Sequence, residues 1–195
     1  MADSGLITEK FQNAVLFILQ NSSVRPGITS LLKMLYFADS QHYRSFLSSI
    51  TGSRYVAIER GPVVDDYKRH FEDLVEFGIV REREVPILGV SNPKKEYEPL
   101  YEPDYSVFSS TELHVLSAVV RECGTISGSV LSQRSHLEGP WVFAWDSKSP
   151  GRPIPNPLFR WLDNLPDEFG IERAKARIEE RGLSELISEL PATRA

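Results

Sequence analysis

The chain has 195 residues, of which 41% are hydrophobic and 25% are charged, as in an ordinary globular protein. Its 22 basic and 27 acidic residues give a net charge of −5, the wrong overall sign for a protein that neutralises many phosphates. A single cysteine, Cys123, excludes an intrachain disulfide and a cysteine-rich zinc site. The longest apolar run, at 14–19, is far shorter than the roughly 20 residues of a membrane span. We therefore expect a cytoplasmic protein that contacts no membrane.

Two helices are predicted near the N-terminus. Apolar residues at positions 11, 14, 15, 18 and 19 follow a helical period and predict a first helix from Thr8 to about Gln20. Pro26 and Gly27 interrupt the pattern, and Thr29 is predicted to cap a second helix. The apolar positions of the second helix are Leu32, Leu35, Tyr36, Tyr43 and Phe46.

One side of the second helix is unusually polar for a core. Tyr36, Asp39, His42 and Tyr43 follow one another at helical spacing and share this side. Two interpretations stay open: a buried polar network, or part of a groove that binds a partner protein. Asp39 and His42 would also suit a general base and its orienting carboxylate, but no nucleophile elbow accompanies them.

A short strand and a third helix are predicted next. Residues 55–58 are β-rich, and Gly61 and Pro62 are predicted to end this strand. Pro62 suits the first turn of a helix, and the acids at 65–66 would complement the helix dipole. The inner stripe of this third helix is predicted to contain Tyr67, His70, Phe71, Leu74 and Val75, with Gly78 at the C-terminal end.

The middle of the chain changes period. Residues 79–85 and 97–101 predict an antiparallel hairpin joined by a polar loop that contains Pro93, Lys94 and Lys95. Ser109 and Glu112 have the spacing of a capping box, and the helix that they begin is predicted to stop at Gly124. A further short helix is predicted from position 127 or 129 through Arg134.

The last third of the chain has a proline-rich stretch followed by a charge-rich stretch. The stretch 136–157 is predicted to be mostly irregular and pinned by Trp141, Phe143 and Trp145, and a short helix opens at 156–157. Residues 168–190 predict one or two amphipathic helices. The predicted fold is therefore mainly α with a small antiparallel β element (α+β), as a compact helical domain at 1–166 and a C-terminal helical extension at 167–195.

Known catalytic and metal-binding patterns are missing from the sequence. The four histidines lack a metal-ligand spacing, and there is no phosphate loop or dinucleotide fingerprint. We therefore expect no enzyme activity, no catalytic residue, no metal and no cofactor. The segment 111–137, two helices joined by a short turn, suggests an alternative DNA-binding regulator with a winged-helix-like unit. Its basic residues, Arg121 and Arg134, are matched by acidic Glu112 and Glu122, so nucleic acid is not the expected partner.

Three segments resemble a known family when they are taken together. They read KMLYFADSQH at 33–42, ITGSRYVAIERGPV at 50–63 and LSQRSHLEGPW at 131–141. In this order and spacing they are similar to the Panacea domain, the SocA-like antitoxin family. The resemblance covers roughly 8–165, departs from the family pattern at Gln41, and does not include the segment after Pro166.

The resemblance implies an antitoxin of a toxin-antitoxin system, encoded beside its toxin and neutralising that toxin by direct protein-protein binding. It also implies a role as a proteolytic adaptor that delivers the toxin to an ATP-dependent protease. The C-terminal helix is a candidate for homodimer formation, with docking onto its own domain as the alternative. The candidate partner-binding residues are Tyr36, Asp39, His42, Tyr43, Gly61, Pro62, Val63, His136, Pro140 and Trp141.

Overall fold

The computed structural model describes residues 8–86 and 93–161 and confirms a mainly α fold with a small antiparallel β element. The helices are α1 Glu9–Asn21, α2 Ile28–Phe46, α3 Tyr67–Glu76, α4 Ser110–Cys123, α5 Gly128–Ser135, α6 Gly139–Ala144 and α7 Leu158–Trp161. The strands are β1 Tyr55–Ile58, β2 Gly61–Val64, β3 Val80–Val85, β4 Lys94–Pro99 and β5 Arg152–Ile154. The extension predicted at 167–195 lies outside the described residues.

Helix α2 is the centre of the fold. Twelve of its 19 residues are buried, and it contacts α1, α4, α5, α7 and strand β2. A helix that is surrounded in this way carries apolar side chains on most of its faces, as the run from Leu31 to Ala38 does, with Lys33 as the exception. The predicted inner residue Phe46 lies beyond this packing and is 49% exposed.

The predicted starts of three helices are confirmed, and each start carries a side-chain cap. The Thr8 hydroxyl accepts a hydrogen bond from the amide of Phe11 at the start of α1. Ser109 and Glu112 form the predicted capping box of α4, and Ser127 caps α5. The prediction for Thr29 was wrong, because Gly27 occupies the N-cap of α2 and provides no side-chain hydrogen bond.

The region around Gly61 forms a strand, which corrects the predicted helix start. Gly61–Val64 pairs antiparallel with β1, and Pro62 lies opposite Ala57. The sheet order is β2-β1-β5, so Pro62 lies on an edge strand, where its missing amide hydrogen costs no ladder bond. Helix α3 begins later, at Tyr67, after an Asp66 N-cap with φ 51°.

The prediction of a mostly irregular segment at 136–157 is confirmed for most of its residues but missed two short elements. Pro140 lies in the first turn of α6, where a proline is favoured, and Arg152–Ile154 pairs with β1 as strand β5. Both elements depend on a distant partner, because α6 packs on β1 and β5. The proline and glycine content of this segment therefore did not predict α6 and β5, which depend on tertiary contacts.

The second hairpin confirms the predicted antiparallel pair. Strands β3 and β4 are paired from Val80 opposite Pro99 to Val85 opposite Lys94, so the two lysines predicted in the loop begin β4 instead. Gly78, at φ +68°, follows α3 as predicted, and its amide bonds to the carbonyl of Val75. Val75 itself is 39% exposed and does not belong to the inner stripe.

Candidate functional site

The three sequence segments meet at one place in the fold. Lys33 of α2, Gly61 and Pro62 of β2, His136 at the end of α5 and Trp141 of α6 are neighbours, and we call these five residues the motif cluster. The Lys33 Nζ donates a hydrogen bond of 2.7 Å to the carbonyl oxygen of Pro62. The Trp141 Nε1 donates a bond of 2.9 Å to the carbonyl of Ile58 on β1. The cluster thus joins α2, the β1–β2 hairpin and the α5–α6 segment.

Gly61 is the residue that lets these segments approach. Its φ is +94°, a conformation that residues with a Cβ rarely adopt. A Cβ at this position would overlap the Ser135 Oγ and lie 2.7 Å from the Lys33 Nζ. Glycine is therefore required both for the turn into β2 and for the space beside Lys33.

Lys33 is a buried cation with little compensation. Its side chain is 1% exposed, and burial lowers its pKa to about 7. Among the described residues, the Pro62 carbonyl is its hydrogen-bond acceptor. An ammonium group has three donors, so two of them lack a protein acceptor here. Lys33 therefore changes charge close to neutral pH.

His136 begins an aromatic stack, which we define as His136, Trp141 and Trp145. The His136 and Trp141 rings are 4.2 Å apart with an interplanar angle of 20°, and the two tryptophan rings are 5.6 Å apart at 11°. All three residues are partly buried and therefore keep part of their surface in solvent. The His136 Nε2 has no partner among the described residues, and burial, with Lys33 nearby, lowers its pKa.

Asp39 is the centre of a separate buried network. One carboxylate oxygen accepts bonds from the amides of Ile50 and Thr51 at 2.7 and 2.9 Å. The other accepts from the hydroxyls of Thr51 and Tyr55 at 2.5 and 2.7 Å. Burial raises the pKa of Asp39, and these hydrogen bonds oppose that rise. The network pins the 50–55 segment to α2.

His42 does not pair with Asp39. Its Nδ1 lies 2.6 Å from the carbonyl oxygen of Ser48, and its Nε2 lies 3.2 Å from the Thr111 hydroxyl. Because a carbonyl only accepts, Nδ1 carries the proton in the bond to Ser48. Among the described residues, the general-base pair considered from sequence therefore lacks its hydrogen bond.

The remaining sequence candidates divide by exposure. Tyr36 is fully buried, with its ring 5.4 Å from that of Tyr55 and 5.6 Å from that of Phe159. Tyr43 is partly buried against Phe159. Val63 and Pro140 are buried in β2 and α6. The candidates that reach the surface are Tyr43, His136 and Trp141, while Tyr36, Asp39, His42, Gly61, Pro62, Val63 and Pro140 are buried.

Comparison with known proteins decides the family. The family model described as antitoxin SocA-like, Panacea domain, matches residues 31–142, more than half of the chain. The chain belongs to this family. The match contains all three segments of the motif cluster, in agreement with the resemblance seen in the sequence. No curated protein and no solved structure matches the chain.

Sequence reasoning missed two contributors to this Panacea site. Lys33 was noted only as part of a segment, although a lysine inside the apolar run 31–38 was a usable signal of a buried charge. Arg44 was not singled out; it forms an ion pair with Glu138 and donates from Nε to the carbonyl of Phe159 at 2.8 Å. This pairing joins α2 to the starts of α6 and α7 and depends on contacts far apart in sequence.

Within residues 8–86 and 93–161, no three histidine, cysteine, aspartate or glutamate side chains are grouped to hold a metal ion. The helices in this part of the chain are too short or too polar to cross a lipid bilayer. The candidate site is the motif cluster, where the three family segments meet, with the aromatic stack that extends from it to the surface.

Proposed function

We propose that this Panacea protein neutralises a cognate toxin in the cytoplasm by binding it directly. Membership of an antitoxin family supports a toxin as the partner. The observation that carries the choice of surface is the aromatic stack, which reaches solvent from the point where the three family segments meet. This proposal assigns no catalytic step to the chain.

The aromatic stack has the properties of a protein-binding anchor. Tryptophan is enriched among residues that dominate binding energy, because its large ring removes much surface from water. The bond from Trp141 to the Ile58 carbonyl and the ring stacking fix these side chains before binding. Fixed side chains lose little conformational entropy when a partner docks, which favours affinity.

A depression borders Leu137, one residue along the chain from the aromatic stack. Leu137 follows His136 and is 55% exposed. It lines an open depression of about 540 Å³ with Phe37 and Gln41 of α2 and with Glu122 and Arg134. An exposed apolar side chain beside a concave surface with a polar rim is the common arrangement of a protein interface. We assign this depression and the aromatic stack to one toxin-binding surface.

Co-expression with the product of the adjacent gene tests this function. The adjacent protein is expressed alone and together with this chain, and growth and co-purification are scored in the same cultures. Growth arrest that is relieved when a stable complex forms supports neutralisation by direct binding. A harmless neighbour that forms no complex contradicts it. A control culture expresses the neighbour with an unrelated protein of similar size.

The finer roles are part of the same proposal and are separated by the same cultures. If the chain acts as an adaptor for an ATP-dependent protease, growth is restored while the toxin disappears, and deleting the protease restores the toxin level. If the segment 167–195 forms a homodimer, removing it converts the dimer to a monomer in solution without abolishing toxin binding. The same oligomeric state before and after truncation contradicts a homodimer formed by this segment.

DNA binding is the second candidate, and the α4–α5 arrangement favours it. Helices α4 and α5 are joined by the short turn at 124–127, as in a helix-turn-helix unit. However, α5 packs on α2 and β2 through buried Leu131 and Ser135, and its basic residue is Arg134. Binding to the upstream DNA of its own gene with a steep salt dependence would support this candidate, and no binding at low salt would exclude it.

A further inference from the structure

Lys33 and His136 are two titratable side chains that meet beside Gly61 in the motif cluster. A Cβ on Gly61 would lie 2.7 Å from the Lys33 Nζ and 3.3 Å from the His136 Cδ2, so these two atoms are at most about 6 Å apart. Two positive charges at this separation repel each other, and burial strengthens the repulsion because little water screens it. A proton on both groups therefore costs free energy.

Neither group has the hydrogen-bond partners that a buried cation needs. The Lys33 side chain is 1% exposed, and its Nζ donates one bond, to the Pro62 carbonyl. The His136 Nε2 is buried and has no partner among the described residues. Both ring nitrogens of an imidazolium carry protons, so in that form Nε2 is a buried donor without an acceptor. This unmade bond adds to the cost of protonating His136.

The charges around the pair offer little compensation. Within residues 8–86 and 93–161, no ion pair includes Lys33 or His136. The backbone carbonyl of Glu59 favours a proton on His136, but burial and the Lys33 charge oppose it more strongly, and the pKa of His136 is lowered. The charged side chains on the surrounding elements are exposed or have partners of their own: Glu59 and Arg60 before β2, Arg134 on α5, Glu138 before α6, Asp146 after α6 and Arg152 on β5.

The charge of His136 acts on the aromatic stack, because its ring lies 4.2 Å from that of Trp141. The face of a tryptophan ring attracts a cation, which favours the imidazolium. Burial and Lys33 act in the opposite direction and lower the pKa of His136 from its usual value of 6.5. The stacked position therefore favours the neutral ring. Because the neutral ring is favoured, this position loses stability as the pH falls below 6.5.

We propose that Lys33 and His136 form a pH switch that controls the toxin-binding surface. At pH 7.5 the imidazole ring is neutral and stays stacked on Trp141. As the pH falls below 6.5, the ring gains a proton beside the charged Lys33 and leaves the stack. The surface then loses part of its preformed structure and binds the toxin more weakly. The effect on toxin binding rests on the proposed function, whereas the coupling of Lys33 to His136 does not.

The coupling is tested by following the His136 ring by NMR during a pH titration of the full chain. In wild type we expect the ring to gain its proton below pH 6.5. In Lys33→Met, which removes the neighbouring charge, the midpoint should move to higher pH. The matched control is Lys68→Met, which removes an exposed lysine on α3 and should leave the midpoint unchanged. The signal that disappears in His136→Gln identifies the ring.

The effect on the surface is tested by the affinity of the purified toxin at pH 7.5 and 5.5. We expect the affinity of wild type to fall at least about tenfold between these values. His136→Gln cannot gain this proton, so its affinity should fall much less. His114→Gln removes an exposed histidine on α4 and should behave like wild type. Titration of the toxin itself affects all three proteins equally and cancels in the comparison.

The outcomes separate the switch from the proposed function. The same ring midpoint in wild type and Lys33→Met, or a midpoint at or above 6.5, overturns the coupling. Equal losses of affinity in wild type and His136→Gln overturn the control of the surface. Absence of toxin binding at pH 7.5 contradicts the proposed function instead, and the ring titration then decides the coupling alone. Circular dichroism at both pH values confirms that each variant is folded.

Discussion

Lys33 and Asp39 are two buried charged residues on the same helix, and their surroundings are opposite. Asp39 is 0% exposed and accepts four hydrogen bonds from the segment 50–55. Lys33 is 1% exposed and donates one hydrogen bond, to Pro62, among the described residues. Removing a charge from water costs several kcal/mol unless new partners replace the water. Asp39 has such partners, whereas Lys33 lacks most of them.

This difference assigns different roles to the two residues. The hydrogen bonds to Asp39 fix the geometry of the chain before β1 and oppose the effect of burial on its pKa. Burial lowers the pKa of Lys33 to about 7, so its ammonium group loses its proton as the pH rises through neutrality. A buried ion whose hydrogen bonds are all made holds the surrounding backbone in one geometry. The protonation of a buried ion that lacks partners depends on the groups that lie beside it. The motif cluster is built around the second kind.

Asp39→Asn should have the largest effect on stability. The amide group places two N–H donors among partners that also donate, so at least one buried group loses its hydrogen bond. We expect the free energy of unfolding in urea to fall by about 3–5 kcal/mol. Asp65→Asn, on an exposed residue after β2, is the matched control and should change it by less than about 0.5 kcal/mol. Equal effects of the two substitutions would contradict the structural role of Asp39.

Gly61→Ala should have the next largest effect on stability. It combines a positive φ with a clash against Lys33 and Ser135, for which we expect a loss of about 2–4 kcal/mol. Gly52→Ala is the control, since Gly52 has φ +72° but a Cβ there meets no atom within 4 Å. It should lose only about 1 kcal/mol, the cost of the strained φ. Urea unfolding measures both, and equal losses would show that the cluster is not tightly packed at Gly61.

Lys33→Met should change the pH dependence of stability. The folded pKa of about 7 lies below the unfolded value of 10.5, so the unfolded state binds more protons between these values. The penalty for burying the charge is complete below about pH 7, and stability rises as pH increases toward 10.5. We expect the variant to be more stable by about 1–3 kcal/mol at pH 6, with the advantage shrinking by pH 9.

Urea unfolding of wild type and variant at pH 6, 7.5 and 9 measures this difference. Because Lys33 contributes to the lowered pKa of His136, the comparison is repeated in a His136→Gln background, in which neither protein has that imidazole. Lys68→Met removes an exposed lysine and should give a constant offset over the same pH range. Parallel curves for wild type and Lys33→Met would contradict a lowered Lys33 pKa.

The smallest effect is expected at Phe77, a 67% exposed residue that follows α3. Phe77→Ala should change the free energy of unfolding by no more than about 0.5 kcal/mol, because little surface is removed from water by folding at this position. A loss above about 1 kcal/mol would show that Phe77 packs more closely than its exposure indicates. This variant then serves as an exposed-aromatic control for binding.

Features set by neighbouring residues were predictable from sequence. The cap at Thr8, the capping box at 109–112 and the β3–β4 hairpin depend on side chains a few positions apart. Pro62 shows the limit, because a proline suits both a first helical turn and an edge strand. Its pairing with Ala57, and the placement of the β1–β2 hairpin beside β5, decide between them.

The residues of the candidate site were predictable in part from sequence, but their arrangement in space was not. The family segments identified Gly61, His136 and Trp141, but their meeting point depends on how α2, β2 and α5 pack. Helical periodicity assigned Tyr36, Asp39 and His42 to one side of α2 without showing that β1 and the loop before it cover that side. Burial is a property of the whole fold, so a polar helix face cannot be assigned to a partner or to the core from its own spacing.

The affinity of the purified toxin for variants of the aromatic stack tests the central claim most directly. Trp145→Ala removes the third ring of the stack, and Phe77→Ala removes an exposed ring elsewhere. Melting temperatures confirm that both variants are folded. We predict that the Trp145 variant binds the toxin at least about tenfold more weakly, as at an interface anchor, while the Phe77 variant binds like wild type. Wild-type affinity in the Trp145 variant, or an equal loss in both, would contradict a toxin-binding surface at the aromatic stack.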